Sequence, residues 1–279
     1  MTAYACNISQ TQKDRFALRL RAVGGNLTAE QFHAVADVAK RYGAGGLHLT
    51  TRQGIEIHHV HKDDLADAQA ELEAVGLKMG ATGSRIRIII ACPGNAACRF
   101  GSIETRAVAE ELDRRYFRME LPYKLKMGVT GCPNNCGKAR EADIGVMGIR
   151  TPRWSAEDCT QCGACVKLCP VQAISVENET YLRDTDRCIN CSSCSVLCPT
   201  KAWGPESSGY TLLVGGTLGK KPRLAVALKE NIQTTDELFE LIDRTVEFFK
   251  ANGRKKERLG HLIDRLGQDT VFQTLLNGK

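Results

Sequence analysis

Two consecutive cysteine runs of identical spacing constrain this chain more than any other feature of its sequence. The first run reads C-x2-C-x2-C-x3-C-P and ends at Pro170, and the second repeats it and ends at Pro199. Thiolates at such short and regular intervals are typical ligands of soft metal centres. The segment must therefore fold as a compact unit around shared centres. Its eight cysteines are Cys159, Cys162, Cys165, Cys169, Cys188, Cys191, Cys194 and Cys198.

The number and distribution of cysteines argue against a disulfide scaffold. The chain has 13 cysteines in 279 residues, and all except Cys6 lie between Cys92 and Cys198. Secreted disulfide scaffolds are short and carry a signal peptide, whereas this N-terminus lacks a basic start followed by an apolar stretch. We therefore expect a cytoplasmic protein whose clustered cysteines bind metal or iron–sulfur centres. Cys6 has no partner motif and is expected to be inert.

The repeated run is the spacing of bacterial two-cluster ferredoxins. In those proteins three cysteines of one run and the fourth of the other hold each [4Fe–4S] cube. Zinc is the alternative, but zinc sites usually take two CxxC pairs without a third cysteine or a Cys-Pro ending. The predicted ligand sets are Cys159, Cys162, Cys165 and Cys198 for one cube, and Cys188, Cys191, Cys194 and Cys169 for the other.

A second group of four cysteines follows two predicted strands. Cys92 and Cys98 come after a strand predicted over 85–91, and Cys132 and Cys136 come after one predicted over 124–129. Four thiolates at two strand ends would suit a third cube. The alternatives are a purely structural cluster or unconnected buried cysteines.

The rest of the chain predicts an α+β fold with the cysteine-rich unit as an insertion. Thr28 and Gln31 form a capping box, and the apolar stripe that follows predicts a helix ending at Gly43. Further helices are predicted over about 64–75, 102–116, 234–251 and 255–266, and strands over 47–51, 55–57, 210–214 and 224–227. The composition, 43% hydrophobic and 25% charged, fits a sizeable core.

Charge and hydropathy exclude two classes of partner. The net charge of +6 does not call for nucleic acid, and the apolar runs are too short to cross a bilayer. We therefore expect neither a nucleic-acid partner nor a membrane partner.

Four short stretches of the chain carry a further signal: LTTRQ at 49–53, ACPGNAACRFG around Cys92, LPYKLK at 121–126 and VTGCPNNCGKA around Cys132. In these stretches the chain resembles the siroheme sulfite and nitrite reductases. In that family the C-x5-C and C-x3-C pairs bind a [4Fe–4S] cluster, and the last thiolate also ligates the siroheme iron. The resemblance implies this bridging role for Cys136, and it is strongest to the catalytic subunit of anaerobic, dissimilatory-type sulfite reductases.

The resemblance also implies an anion site. Arg52, Lys124 and Lys126 match family residues that face the substrate, and Arg87 fits the arginine that precedes the first cysteine, with Arg85 as the other register. From the residues alone, the two lysines could belong to a solvated strand face, and Arg52 could bond loop carbonyls. The remaining residues expected beside the cofactor are Thr51, Gln53, Thr130 and Asn134.

The implied activity is the six-electron reduction of sulfite to sulfide by siroheme and three [4Fe–4S] clusters per chain. Nitrite reduction and a non-catalytic ferredoxin-type electron-transfer subunit are the alternatives. The implied domains are a ferredoxin-like half domain (1–80), a siroheme and [4Fe–4S] domain in two parts (81–152 and 206–279), and an inserted ferredoxin domain (153–205). No flavin or nicotinamide motif is present, so we expect an external donor such as a ferredoxin or an iron–sulfur/flavin reductase subunit. Larger family members carry two copies of the unit that contains the TTRQ segment and the C-x5-C and C-x3-C pairs. This chain carries one copy, which predicts a homodimer or a higher oligomer.

Overall fold

The predicted capping box at Thr28 is present in the computed structural model, which describes residues 7–278. The Thr28 hydroxyl accepts from the Gln31 amide at 3.2 Å, and the Gln31 side chain accepts from the Thr28 amide at 3.1 Å. These bonds satisfy free donors at the start of a helix that ends before Gly43. Cys6 lies outside the described residues.

The described residues form 11 strands in three sheets. In chain order the strands are β1 (Asn7–Ser9), β2 (Arg15–Arg19), β3 (Leu47–Leu49), β4 (Ile55–His61), β5 (Ile90–Ala91), β6 (Met127–Thr130), β7 (Ile144–Trp154), β8 (Ile174–Glu177), β9 (Thr180–Arg183), β10 (Trp203–Val214) and β11 (Val226–Ile232).

Eight α-helices accompany these strands within residues 7–278. They are α1 (Ala29–Tyr42), α2 (Leu65–Ala74), α3 (Thr105–Tyr116), α4 (Ala164–Leu168), α5 (Ser193–Leu197), α6 (Thr235–Asn252), α7 (Leu259–Leu266) and α8 (Gln268–Asn277). None of the helices between residues 7 and 278 is both long and apolar enough to cross a membrane.

The N-terminal part is an antiparallel sheet covered by two helices. Its strand order is β1-β2-β4-β3. Leu18 and Ile57 are fully buried in the sheet, and Val35 of α1 and Leu72 of α2 pack on them in one apolar cluster. This sheet places the loop between β3 and β4, which carries Arg52, against the second sheet.

The second sheet has the order β11-β10-β7-β6-β5 and mixes parallel with antiparallel pairs. β5, β6 and β7 run parallel, whereas β10 is antiparallel to both β7 and β11. The largest apolar cluster of the described residues lies between this sheet and the helices α3, α6, α7 and α8. Because β5 and β6 are parallel neighbours, their carboxyl ends meet at the same edge of the sheet.

The eight-cysteine segment lies between two paired strands. Trp154 at the end of β7 pairs directly with Trp203 at the start of β10. Between them, α4, α5 and the hairpin β8–β9 enclose a small core in which Trp154 packs on Tyr181 with ring centroids 5.6 Å apart. The chain therefore leaves the second sheet at Trp154 and returns to it at Trp203.

Several predicted elements need correction. Only residues 90–91 of the strand predicted over 85–91 form a regular ladder; Arg85 and Ile86 make isolated bridges. Pro122 lies in the neighbouring segment and has no amide hydrogen to donate, which limits the ladder there. The helix predicted over 255–266 starts only at Leu259, because Lys256 takes a positive φ of 66°.

Candidate active site

The four cysteines of the second group lie in the two loops that follow β5 and β6. Cys92 comes directly after β5, and its amide donates to the carbonyl of Val129 in β6. The two loops also bond to each other: the Gly131 amide donates to the Cys92 thiol at 3.1 Å, and the Ser102 amide donates to the Gly131 carbonyl at 2.8 Å. The predicted strand-end placement of these thiols is therefore what the fold produces.

Thr130 stabilises the second loop, which follows β6. It is fully buried, its hydroxyl donates to the carbonyl of Cys132 at 3.4 Å, and it accepts from the Gly137 amide at 3.4 Å. The first loop needs glycine at Gly101, where a Cβ would lie 2.5 Å from the carbonyl carbon of Gly94. These contacts shape the loops, so Thr130 holds the cysteine backbone in place.

The electrostatics of the four thiols show that they share one neighbourhood. Burial raises the pKa of Cys132, and negative charge on Cys92, Cys98 and Cys136 raises it further. Cys98 and Cys136 are exposed, and Asn134 between the second pair is exposed as well. Four soft thiol donors in a glycine-lined cradle fit a [4Fe–4S] cube.

A cavity of about 260 Å³ lies between the two sheets, next to the start of β6. Five of its lining side chains are basic, so it is a strongly cationic site. The lining residues are Arg19, Thr50, Thr51, Arg52, Ala81, Arg87, Ile88, Lys124 and Lys126. The structure thus brings together the four residues predicted to face the substrate, with Thr51 beside them.

Arg52 both lines this cavity and bonds to the backbone. Its guanidinium donates to the carbonyl of Ile88 at 2.7 Å and to that of Met127 at 3.4 Å. The neighbouring Gln53 exchanges two hydrogen bonds with the backbone of Ala91, at 2.7 and 2.9 Å. The alternative that Arg52 bonds to loop carbonyls is thus seen in the structure, the side chain also lies where an anion contact was expected, and Gln53 holds its loop on β5.

The two candidate arginines before Cys92 have different surroundings. Arg87 lines the cavity and donates to the carbonyls of Ala81 and Gly83 at 2.7 and 2.9 Å. Arg85 instead pairs with the exposed Glu120 at 2.7 Å and is not among the residues that line the cavity. The placement favours Arg87 as the anion contact and does not support Arg85 as a cofactor contact.

Burial and like charges lower the pKa values of two cavity residues. Burial lowers the pKa of Arg52 to about 10. Burial, together with the positive charges of Arg52, Arg258 and Lys124, lowers the pKa of Lys126 to about 8. A lysine with a pKa near neutrality can give up and regain a proton under physiological conditions.

Three residues of this neighbourhood were not predicted from the sequence. Arg19, at the end of β2, lines the cavity and pairs with Glu56 at 2.5 Å. Asp143 and Arg258 form a buried ion pair at 2.5 Å, and Asp143 also accepts from the Lys126 amide at 2.7 Å. Asp143 and Arg258 are 115 positions apart in the chain, so no local pattern could have linked them.

The eight-cysteine unit separates its thiols into two neighbourhoods. One small cavity is lined by Cys169 together with Cys188, Cys191 and Cys194, so the last cysteine of the first run sits beside the second run. Around Tyr181, burial and then negative charge on Cys159, Cys165 and Cys162 raise the pKa of the phenol. Among residues 7–278, no group of three or more His, Cys, Asp or Glu side chains has the spacing to hold a single metal ion.

Comparison with protein families matches nearly the whole chain to two models. Residues 82–278 match the nitrite and sulphite reductase 4Fe-4S domain. Residues 8–75 match the nitrite/sulfite reductase ferredoxin-like half domain. The boundary between the two matches falls in the segment that connects the two sheets.

Similar proteins are found among curated sequences and among solved structures. The chain is 34% identical to the coenzyme F420-dependent sulfite reductase of Methanocaldococcus jannaschii over 95% of this chain and 43% of that protein. It is 33% identical to one subunit of the anaerobic sulfite reductase of Salmonella typhimurium over 94% of this chain and 83% of that one. The crystal structure of dissimilatory sulfite reductase I superposes with a TM-score of 0.80 at 23% identity, covering 94% of this chain and 69% of that one. The superposition shows a shared fold; the chain spans less than half the length of the first relative.

Proposed function

This chain belongs to the nitrite and sulfite reductase family, and we propose that it is a siroheme-dependent sulfite reductase with three [4Fe–4S] clusters. The observation that carries the proposal is the cationic cavity at the start of β6, with a four-thiol site at the end of the same strand. The strand spans about 13 Å at 3.3 Å per residue. A group that contacts both ends must be broad and anionic, as a polycarboxylated macrocycle is.

The residues present fit these groups. Cys92, Cys98, Cys132 and Cys136 would hold one cube, and Cys136 would also ligate the siroheme iron. When bound, these groups supply single electrons and an iron that holds the sulfur of sulfite through a six-electron reduction to sulfide. The protein would supply the charge, the orientation and the protons.

The cavity side chains have distinct tasks in this proposal. Arg52 and Arg87 donate to backbone carbonyls that hold their guanidinium groups at the cavity wall, where each would place a fixed positive charge beside the anion. Lys124 and Lys126 would neutralise the substrate or the macrocycle carboxylates. Because its pKa is near 8, Lys126 would also hold and release a proton at its Nζ atom.

The eight-cysteine unit (153–205) would be an inserted ferredoxin domain that feeds electrons inward. Cys162 of the first run is exposed, whereas Cys194 of the second run is buried. The exposed end would receive electrons from an external donor, such as a ferredoxin or an iron–sulfur/flavin reductase subunit. We also propose a ferredoxin-like half domain over 1–80 and a siroheme and [4Fe–4S] domain over 81–152 and 206–279. The proposed location of the protein is the cytoplasm.

Because the chain carries a single copy of the unit that larger family members contain twice, we also propose a homodimer. One chain supplies one Thr51–Gln53 loop and one four-thiol site, and a two-fold axis would bring a second set of basic residues to the haem. Light scattering on the haem-loaded protein would give two chains per particle. An active monomer at nanomolar concentration would contradict this part of the proposal.

Nitrite reduction is the second candidate, because the matched family models cover both activities. The deciding experiment is turnover with a chemically reduced viologen donor on sulfite and on nitrite, monitored by sulfide and ammonia. We expect a higher kcat/KM on sulfite. A chain that carries only ferredoxin-type cubes and reduces neither anion would instead be an electron-transfer subunit.

A further inference from the structure

One residue of β7 contacts both of the cysteine sites that the chain keeps apart. The backbone amide of Arg150 donates to the carbonyl of Asn190 at 3.1 Å, and Arg150 forms a bridge with Cys191. Cys191 belongs to the second run of the eight-cysteine unit. The peptide that precedes this ligand is thereby fastened to the second sheet.

The side chain of Arg150 reaches in the other direction. Its Nη2 donates to the carbonyl of Gly101 at 3.1 Å, and the Gly101 amide donates to the carbonyl of Cys98 at 2.9 Å. Cys98 belongs to the four-thiol site. Three hydrogen bonds therefore run from Asn190 through Arg150 and Gly101 to Cys98. They connect the Cys191 segment of the eight-cysteine unit to a cysteine of the four-thiol site.

The sequence around Arg150 makes this reach possible. Gly148 and Arg150 are two positions apart in β7 and share one face of the strand. A Cβ at Gly148 would lie 2.6 Å from the carbonyl oxygen of Gly131, so only glycine lets the Cys132 loop lie this close to β7. The Cys132 loop therefore packs directly on β7 at Gly148, and two positions further on the Arg150 side chain contacts the Cys98 loop.

The charge of Arg150 also needs a partner that the protein does not supply. The residue is half-buried, its Nε atom is buried without a hydrogen-bond partner, and no carboxylate within residues 7–278 pairs with it. A guanidinium removed from water without a counter-charge is unfavourable. A cube held by four thiolates is anionic. Arg150 contacts the Cys98 loop of the four-thiol site and the Cys191 segment of the eight-cysteine unit, so it would lie near two such cubes.

We propose that Arg150 is the positioning residue that couples the eight-cysteine unit to the four-thiol site, as a hydrogen-bonded bridge and as a cation between two electron-holding centres. The inference rests on the proposed function. The step would be a one-electron transfer: the cube that Cys191 would help to hold loses one electron, and the cube that Cys98 would help to hold gains it. No bond is made or broken, and no proton is transferred.

The test compares three variants of the full, cofactor-loaded chain. Arg150→Met removes both the bridge and the charge, Arg150→Lys keeps the charge and removes the planar fork, and Arg153→Met removes a charge from an exposed position of the same strand. Each is reduced with dithionite, without sulfite. Freeze-quench electron paramagnetic resonance follows each cluster in time, and a redox titration gives each midpoint potential.

The expected results differ among the variants. Arg150→Met loses the fast reduction of the four-thiol cluster and shifts its midpoint potential to more negative values, because a nearby cation favours the reduced form. Arg150→Lys loses the fast phase but keeps the potential, and Arg153→Met changes neither.

Two outcomes would overturn the inference, and both can be told apart from failure of the proposed function. If Arg150→Met has the full iron content with unchanged potential and kinetics, Arg150 has no such role. If Arg150→Met does not fold, an unchanged fast phase in Arg150→Lys rejects the bridge. A wild-type chain that lacks siroheme and the third cluster would refute the proposed function instead.

Discussion

The carboxylate of Asp143 accepts three hydrogen bonds, two of them from Arg258 and one from the amide of the cavity residue Lys126. The Arg258 Nε and Nη2 atoms lie 2.8 and 2.5 Å from the two carboxylate oxygens, and the Lys126 amide lies 2.7 Å from one of them. Asp143 is fully buried and Arg258 nearly so. The pair therefore ties the C-terminal helices to the segment that carries both cavity lysines.

We predict that breaking this pair destabilises the protein strongly. Arg258→Met leaves Asp143 buried without its partner, and such a change costs about 3–5 kcal/mol of unfolding free energy. Urea unfolding followed by circular dichroism measures it. The control is Glu110→Gln, which breaks the exposed Arg106–Glu110 pair and should change little. Equal stability of Arg258→Met and the unchanged chain would contradict the prediction.

Cys136→Ser should remove one cluster and leave the others. If Cys136 bridges the cube and the siroheme, its loss abolishes sulfite reduction and disturbs both chromophores, while the cubes of the eight-cysteine unit persist. Iron and sulfide counts with electron paramagnetic resonance measure this. Cys162→Ser is the matched control and should disturb only a ferredoxin-type cube. Retained sulfite turnover in Cys136→Ser would refute the bridging role.

Lys124→Ala and Arg52→Ala should keep siroheme bound but slow sulfite turnover by about 100- to 1000-fold, the usual effect of removing a donor to a developing anion. Arg85→Ala is the control, because Arg85 pairs with Glu120 away from the cavity. Steady-state kinetics with a reduced viologen donor measure the effect. Near-normal turnover in both cavity variants would leave Lys124 with the solvated-strand interpretation and Arg52 with a purely structural role as a donor to backbone carbonyls.

Anion affinity should fall as the pH rises through about 8, the pKa of Lys126. Below that pH the ammonium attracts the anion; above it the neutral amine does not. Between about 8 and 10.5 the unfolded chain binds this proton more tightly than the folded chain, so the same lysine makes stability rise with pH there. Nitrite binding to the oxidised protein, followed by absorption across this range, measures the affinity. Lys126→Arg should remove the inflection; an identical inflection in that variant would assign it to another group.

The sequence predicted the parts of the site that depend on local spacing. The strand-end position of Cys92 and Cys132 followed from an apolar strand ending in a Cys-Pro turn, and the placement of Cys169 beside Cys188 followed from the repeat. Lys124 and Lys126 were predicted to share one strand face, and both line the cavity, although the regular strand starts only at Met127.

Other parts could not be predicted from local patterns. β7 contains Gly145, Gly148 and Pro152, residues that disfavour strands, and it forms because it pairs along its length with β10 and at its start with β6. The bond between Arg150 and Gly101 and the pair of Asp143 with Arg258 depend on tertiary packing across 49 and 115 positions. Such contacts leave no periodic signal in the sequence.

The visible absorption spectrum of the purified, oxygen-protected protein shows whether the chain carries siroheme together with iron–sulfur clusters. We predict a Soret band and red-region bands of siroheme on top of iron–sulfur absorption, and a shift of these bands when sulfite is added to the reduced protein. A spectrum with only a broad brown iron–sulfur shoulder, unchanged by sulfite, would contradict it.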